Sequence, residues 1–177
     1  MNEHYTSTAK FFHWLITLSL FALLGLGFYM TGLRLSPTKL QLYSWHKWAG
    51  MSILLLTFLR LGWRLLHRPP ALPDHMGALE RLAAHGGHIL LYLLCIAIPL
   101  SGWLMSSAKG VPTVWFGVLP LPDLVGRDAE LGDLLLNVHQ LLNLSLILIV
   151  LGHVGAALKH HFINRDQVLI RMLPGRR

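Results

Sequence analysis

The sequence predicts an all-α protein, a transmembrane four-helix bundle with both termini in the cytoplasm, and three observations carry this reading. Of the 177 residues, 54% are hydrophobic, and the mean hydropathy is +0.53. Only 13% are charged, about half the share usual in a soluble domain. Finally, four apolar runs punctuate the chain, each near the roughly 20 residues that a helix needs to cross the hydrocarbon.

The first run covers about Phe11 to Gly32. It is too long for the apolar core of a secretory signal, and no small-residue cleavage pattern follows it, so it is expected to remain as a helix. A turn-like TGLRLSPTK leads to the second run, about Trp45 to Leu66, which opens with YSWHKWAG. The next connection, HRPPALPDHMG, has three prolines and reads as an extended linker. The third run is about Leu82 to Ser106. The longest connection, AKGVPTVWFGVLPLPDLVGRDAELGD, mixes aromatics, prolines and four acids, which suits a loop folded down on the membrane interface. The fourth run is about Leu134 to Leu158. No domain boundary, repeat or low-complexity tract interrupts this order. Residues 1–177 therefore read as a single integral-membrane domain whose bundle core must house any chemistry.

Orientation follows from Lys and Arg, which accumulate in cytoplasmic loops. Lys10, Arg60, Arg64, Arg68, Arg81, Lys159, Arg165, Arg171, Arg176 and Arg177 group at one end of the spans, ten against the five of Arg34, Lys39, Lys47, Lys109 and Arg127. That count puts both termini in the cytoplasm. The net charge of +7 and pI near 10.1 are assigned to topology and lipid headgroups, not to nucleic acid. With Cys95 the single cysteine, no intramolecular disulfide or thiolate metal cluster is available. Redox chemistry would have to use histidine.

Histidine in a membrane span is costly and functional by default, and the fourth run carries His139 and His153, fourteen residues apart. Fourteen helical positions turn about 1400°, about 40° short of four turns, and climb about 21 Å. The two imidazoles therefore share a face near opposite ends of the hydrocarbon. The first run adds His13 at its cytoplasmic start, and the second adds His46 at its outer start. By level, His13 faces His153 and His46 faces His139. Two imidazoles on one haem iron leave no open coordination position, which favours electron transfer over oxygen binding.

The same interval measured from His13 lands on Gly27, and from His46 on Arg60. Gly27, and Gly50 one turn below His46, read either as clearance for a flat macrocycle or as ordinary helix packing. Gly152 and Gly155, flanking His153, carry the same two readings. Arg60 reads either as a partner for a haem propionate or as a cation reaching the headgroups. His85 and His88, at i and i+3 in the third run, rank second as ligands at the inner level. His160, seven residues beyond His153, could hydrogen-bond a quinone carbonyl and pass it a proton, or could be a solvated tail residue. Nothing is assigned to His4, His67 or His75. A metal transporter is disfavoured because all eight acids lie outside the hydrocarbon or at its edge.

Across essentially its whole length the chain resembles the bacterial cytochrome b-561 family of small four-helix, two-haem inner-membrane proteins. The resemblance rests on HWL at His13 to Leu15, His46 followed by Gly50, LAAHGGHILLYLL, IPLSGWLM, WFG, NVHQLLN and GHVGAALKHHF. It implies two b-type haems, one on His13 and His153 and one on His46 and His139. It also implies oxidation of superoxide at the periplasmic side with reduction of membrane ubiquinone, here expected near His88 and His160 with protons taken from the cytoplasm. Arg34, Lys39 and Lys47, an acid-free set, could attract a small anion, although Asp123, Asp128, Glu130 and Asp133 bring that surface close to neutral. The alternative within the family is an electron-transfer subunit serving a partner dehydrogenase or another periplasmic redox protein.

Overall fold

A computed structural model describes residues 4–175; Arg176 and Arg177, counted above toward orientation, lie outside the described residues. The chain forms α1 (Ser7–Thr31), α2 (Pro37–Leu66), α3 (Ala78–Ala108), a short ribbon of β1 (Val114–Trp115) and β2 (Leu119–Pro120), and α4 (Ala129–Lys159). A widened turn, His160–Asn164, continues α4, and a tight turn, Ile170–Met172, follows in the tail. The four long helices are each long and apolar enough to cross a membrane.

The helices start earlier than the apolar runs because polar residues cap them. Thr6 Oγ1 accepts from Ala9 N at 3.2 Å, Ser36 Oγ from Lys39 N at 3.2 Å, and Asp128 Oδ1 from Leu131 N at 3.0 Å. Each side chain satisfies an amide that the first turn leaves without an intrahelical partner. Pro37 opens α2, where its missing N–H is no loss. Lys39 consequently lies in the first turn of α2 and not in the connecting loop. Its Nζ donates to the carbonyls of Leu33 and Thr31, 2.6 and 3.3 Å away, at the C-terminal end of α1, where a cation is electrostatically favoured.

Neighbours in sequence pack together: α1 on α2, α2 on α3 and α3 on α4. Two aliphatic clusters fill the middle of the bundle. Ile16, Ile53 and Cys95 form one and Leu94, Ile98 and Leu146 the other, and Leu20 packs against both. This plug lies between the level of His13 and that of His46.

The loop end of the bundle, where α1 turns into α2 and α3 into α4, is covered by the ribbon. Val114 pairs with Pro120 and Trp115 with Leu119. The reversal between them uses positive φ at Phe116 and Gly117, 52° and 72°, and such a backbone is easy for glycine and strained for phenylalanine. Two indoles lock the ribbon to α2 reciprocally. Trp48 Nε1 donates to Val114 O, and Trp115 Nε1 donates to Trp48 O at 3.1 Å. The expected interfacial loop is therefore a lid folded onto the helices.

The termini end is closed by the tail. Trp14 Nε1 donates to Met172 O at 2.9 Å, Lys10 Nζ to Leu173 O at 3.1 Å, and Arg171 Nη1 to Ala71 O at 2.9 Å. Trp63 Nε1 donates to Thr6 Oγ1 at 2.9 Å, tying the end of α2 to the start of α1.

Leu146 is 1% exposed at the centre of the plug. Its replacement by alanine is expected to cost about 2–5 kcal/mol through lost burial and the cavity left behind, measured as a lower thermal midpoint in detergent. An unchanged midpoint would mean that the plug does not hold the bundle together.

Candidate functional site

Two imidazole pairs bridge helices that are not neighbours in sequence, α1 with α4 and α2 with α4. At the termini end, His13 of α1 and His153 of α4 have ring centroids 6.4 Å apart with planes at 64°. At the loop end, His46 of α2 and His139 of α4 are also 6.4 Å apart, with planes at 74°. A ring nitrogen binds a metal such as zinc at about 2.0–2.1 Å. With the nitrogen about 1.1 Å from its own ring centre, two imidazoles on opposite sides of one ion bring their centroids to about 6.3 Å. The observed separation of 6.4 Å matches that spacing and suits a shared metal.

The Nδ1 atoms of His13 and His46 are buried without a hydrogen-bond partner. A buried polar nitrogen in that state is costly unless something not made of protein offsets the loss. His139 is oriented differently. Its Nδ1 lies 3.1 Å from Ile98 O and 2.9 Å from Ser101 Oγ. The carbonyl can only accept, so Nδ1 carries the proton and Nε2 keeps its lone pair for a metal. Gly102 makes this approach possible: a Cβ there would lie 3.2 Å from His139 Cε1. Gly27 faces His46 as its spacing suggests, since a Cβ would come within 3.5 Å of His46 Cε1. At Gly50, Gly152 and Gly155 an added Cβ meets nothing within 4 Å, so no protein atom demands glycine at those positions.

His88 joins the termini-end pair, its ring 5.6 Å from that of His153. This contact lies between the directly packed α3 and α4, whereas His13 reaches His153 from α1. His85 is exposed and its Nδ1 lies 2.7 Å from Arg81 O. Arg60 and Arg64, one turn apart on α2, both stand over the Tyr92 ring, at 5.3 and 5.8 Å. Among the described residues neither pairs with a carboxylate. They line a small open cleft with Tyr5, Trp63, Tyr92 and Met172. Burial pushes the Tyr5 phenol up from its ordinary pKa, against the pull of Arg64 and Arg60. The cleft is thus a partly desolvated cationic recess on the side of the bundle that carries His13.

His160 has polar partners of its own. It is buried, and its Nδ1 lies 2.5 Å from Asp166 Oδ2, with the Asn164 carboxamide 3.2 Å away. Burial alone would raise the Asp166 pKa, but the Val168 N–H and the His160 contact outweigh it and hold the carboxyl below the usual carboxylate range. Ser101, Gly102, Arg64, Tyr92, His75 and Asp166 all escaped the sequence reading. The IPLSGW stretch could have flagged the first two as a hydroxyl beside a gap, and Arg64 stands one turn from Arg60. Nothing local marked His75 or Asp166.

Comparison with known proteins now adds to this geometry. The family model for prokaryotic cytochrome b561 matches residues 4–175. Cytochrome b561 homolog 2 of Escherichia coli (strain K12) is 33% identical over 172 residues, covering 97% of this chain and 92% of that protein. Cytochrome b561 homolog 1 of the same strain is 31% identical over 178 residues, covering 99% of each chain. The probable superoxide oxidase CybB of Yersinia pestis is 36% identical over 134 residues, covering 75% of this chain and 74% of that one. Matched from end to end of its described residues, the chain belongs to the prokaryotic cytochrome b561 family of membrane-embedded, electron-transferring proteins that bind haem b.

Proposed function

We propose that this protein is a two-haem superoxide:ubiquinone oxidoreductase of the bacterial inner membrane, formed as one domain with both termini in the cytoplasm. His13 and His153 hold one haem b at the cytoplasmic side, and His46 and His139 hold the other at the periplasmic side. The observation that carries this reading is the equal 6.4 Å separation of the two imidazole pairs. The partnerless Nδ1 atoms of His13 and His46 support it too. When bound, haem supplies reversible one-electron chemistry that no side chain here offers.

The chain's own residues supply ligation, orientation and charge. Ser101 and Ile98 O fix the tautomer and tilt of His139. Arg60 faces a propionate from the cationic cleft it shares with Arg64. At the loop end, Lys47 Nζ donates to Ser106 Oγ and to the carbonyls of Val111 and Pro112, and Lys39 to the two carbonyls at the end of α1. Those hydrogen-bond partners are neutral carbonyls and a hydroxyl, and we assign the two ammonium groups to drawing in a small anion. The name of the Yersinia pestis relative points to superoxide. Two superoxide anions each give up one electron and become O2. One ubiquinone takes the two electrons, with two protons from the cytoplasm, and becomes ubiquinol. His88 beside His153, and His160 below it, are the groups we assign to the quinone and its protons.

The test is to purify the protein in detergent, count haems per chain, and add superoxide with and without a ubiquinone analogue. Two haems and superoxide-dependent quinol formation are expected. Two haems with no response to superoxide would leave electron transfer for a partner dehydrogenase as the function, and absence of haem would overturn the ligand assignment. His139→Ala is expected to lower the haem count from two to one, keeping the haem on His13 and His153. Ser101→Ala is expected to weaken the remaining hold on the loop-end haem by about 10–100-fold, read as faster haem loss to an apo-globin acceptor.

A further inference from the structure

A second cluster of metal-binding side chains lies outside the paired histidines. His75 in the linker between α2 and α3, His160 at the end of α4, and Asp166 in the tail offer one ligand atom each, all within 4.8 Å of one another. His75 Nε2 is 3.3 Å from Asp166 Oδ2, and His160 Nδ1 is 2.5 Å from that same oxygen. Two imidazoles and a carboxylate thus converge on one point. A carboxylate that merely hydrogen-bonded two histidines could place one on each oxygen. Here Asp166 Oδ1 is already occupied by the Val168 N–H at 3.0 Å, and both nitrogens crowd Oδ2.

The backbone holds all three in place. Arg81 grips the linker on either side of His75, its Nε donating to Met76 O at 3.0 Å and its Nη2 to Asp74 O at 2.9 Å. Beyond Lys159 the α-helix opens into the widened turn His160–Asn164, a rare local geometry that is frequent at functional sites. Arg165 then takes a left-handed conformation, φ 54°, which is strained for a residue with a side chain. Its effect is to turn the chain back, so that Asp166 N donates to His160 O at 3.1 Å and the carboxylate reaches the imidazole.

From this convergence we propose that His75, His160 and Asp166 form a binding site for a divalent first-row transition metal, with zinc the natural occupant. Imidazole and carboxylate ligands suit zinc, which takes three protein ligands and leaves the fourth position to water at an open site. Ligands at about 2.0–2.1 Å in tetrahedral array stand about 3.3 Å apart. The His75–Asp166 pair already has that spacing, and the His160–Asp166 pair needs to open by about 1 Å. The His75 side chain is 53% exposed while those of Asp166 and His160 are 11% and 9% exposed. The ion therefore enters and keeps its water on the His75 side. Bound there, it joins the α2–α3 linker to the end of α4. The site requires no haem and shares only His160 with the function proposed above.

The test uses the full chain without a histidine tag, dialysed to equilibrium against zinc and then analysed for zinc and iron per chain. About one zinc per chain above background is expected in the wild type. His75→Ala and Asp166→Asn should each weaken its binding at least tenfold while iron content and helical circular dichroism stay unchanged. Zinc should also raise the thermal midpoint of the wild type more than that of His75→Ala. No zinc in the wild type, or equal binding and equal thermal shifts in wild type and His75→Ala, would overturn the proposal. Iron reports the haem reading separately, so zinc without iron would sink that reading and leave this site standing.

Discussion

Four imidazoles facing one another in pairs between helices are the constraint on which the rest of this bundle depends. Inside a membrane a polar atom cannot turn to water for a partner, so histidines facing one another across a gap must be positioned by everything around them. The two levels solve this differently. At the loop end His139 is held by the hydroxyl and carbonyl that α3 presents, and it can lie close because the neighbouring position is glycine. At the other end His153 is flanked by His88 from the helix packed against α4, while His13 arrives from α1 with no such anchor.

Around those pairs the bundle is closed top and bottom by hydrogen bonds from indoles, three to carbonyls and one to a hydroxyl. Tryptophan combines a large apolar body with one donor, so it can seal an end and still satisfy its nitrogen. Trp48 and Trp115 hold the ribbon down at one end, and Trp14 and Trp63 tie the tail and the first residues in at the other. None of these bonds lies within one helix. They keep the histidine levels fixed relative to the ends without filling the gaps in which the imidazoles stand.

Much of this was readable in advance, and the reason is periodicity. An α-helix in lipid has so regular a rise and turn that intervals measured along the sequence become positions in space. The fourteen residues from His139 to His153, and the landing of the same interval on Gly27, needed nothing more. What escaped were contacts made where the helix stops being regular. The polar first turn of α2 hid among loop-like residues until Ser36 and Pro37 were seen to cap and start it. Asp166 reaches His160 only because the turn after Lys159 widens and Arg165 reverses the chain, and neither event has a period. Ser101 was hidden differently: it sits in regular helix, but its partner is on another helix.

The aliphatic plug between the two histidine levels separates more than space. Among the described residues its buried side chains are those of Ile16, Ile53, Leu94, Ile98 and Leu146, with Cys95 as the sole thiol. Beside it the one fully buried hydroxyl among the described residues of α2, that of Thr57, is turned onto Ile53 O. If the protein works as proposed above, the electrons that cross this layer tunnel through a medium of low dielectric constant. Because the histidine levels stand about 21 Å apart along α4, each such transfer would be electrogenic and would sense most of the membrane voltage, worth about 2.3 kcal/mol per charge for every 100 mV crossed in full.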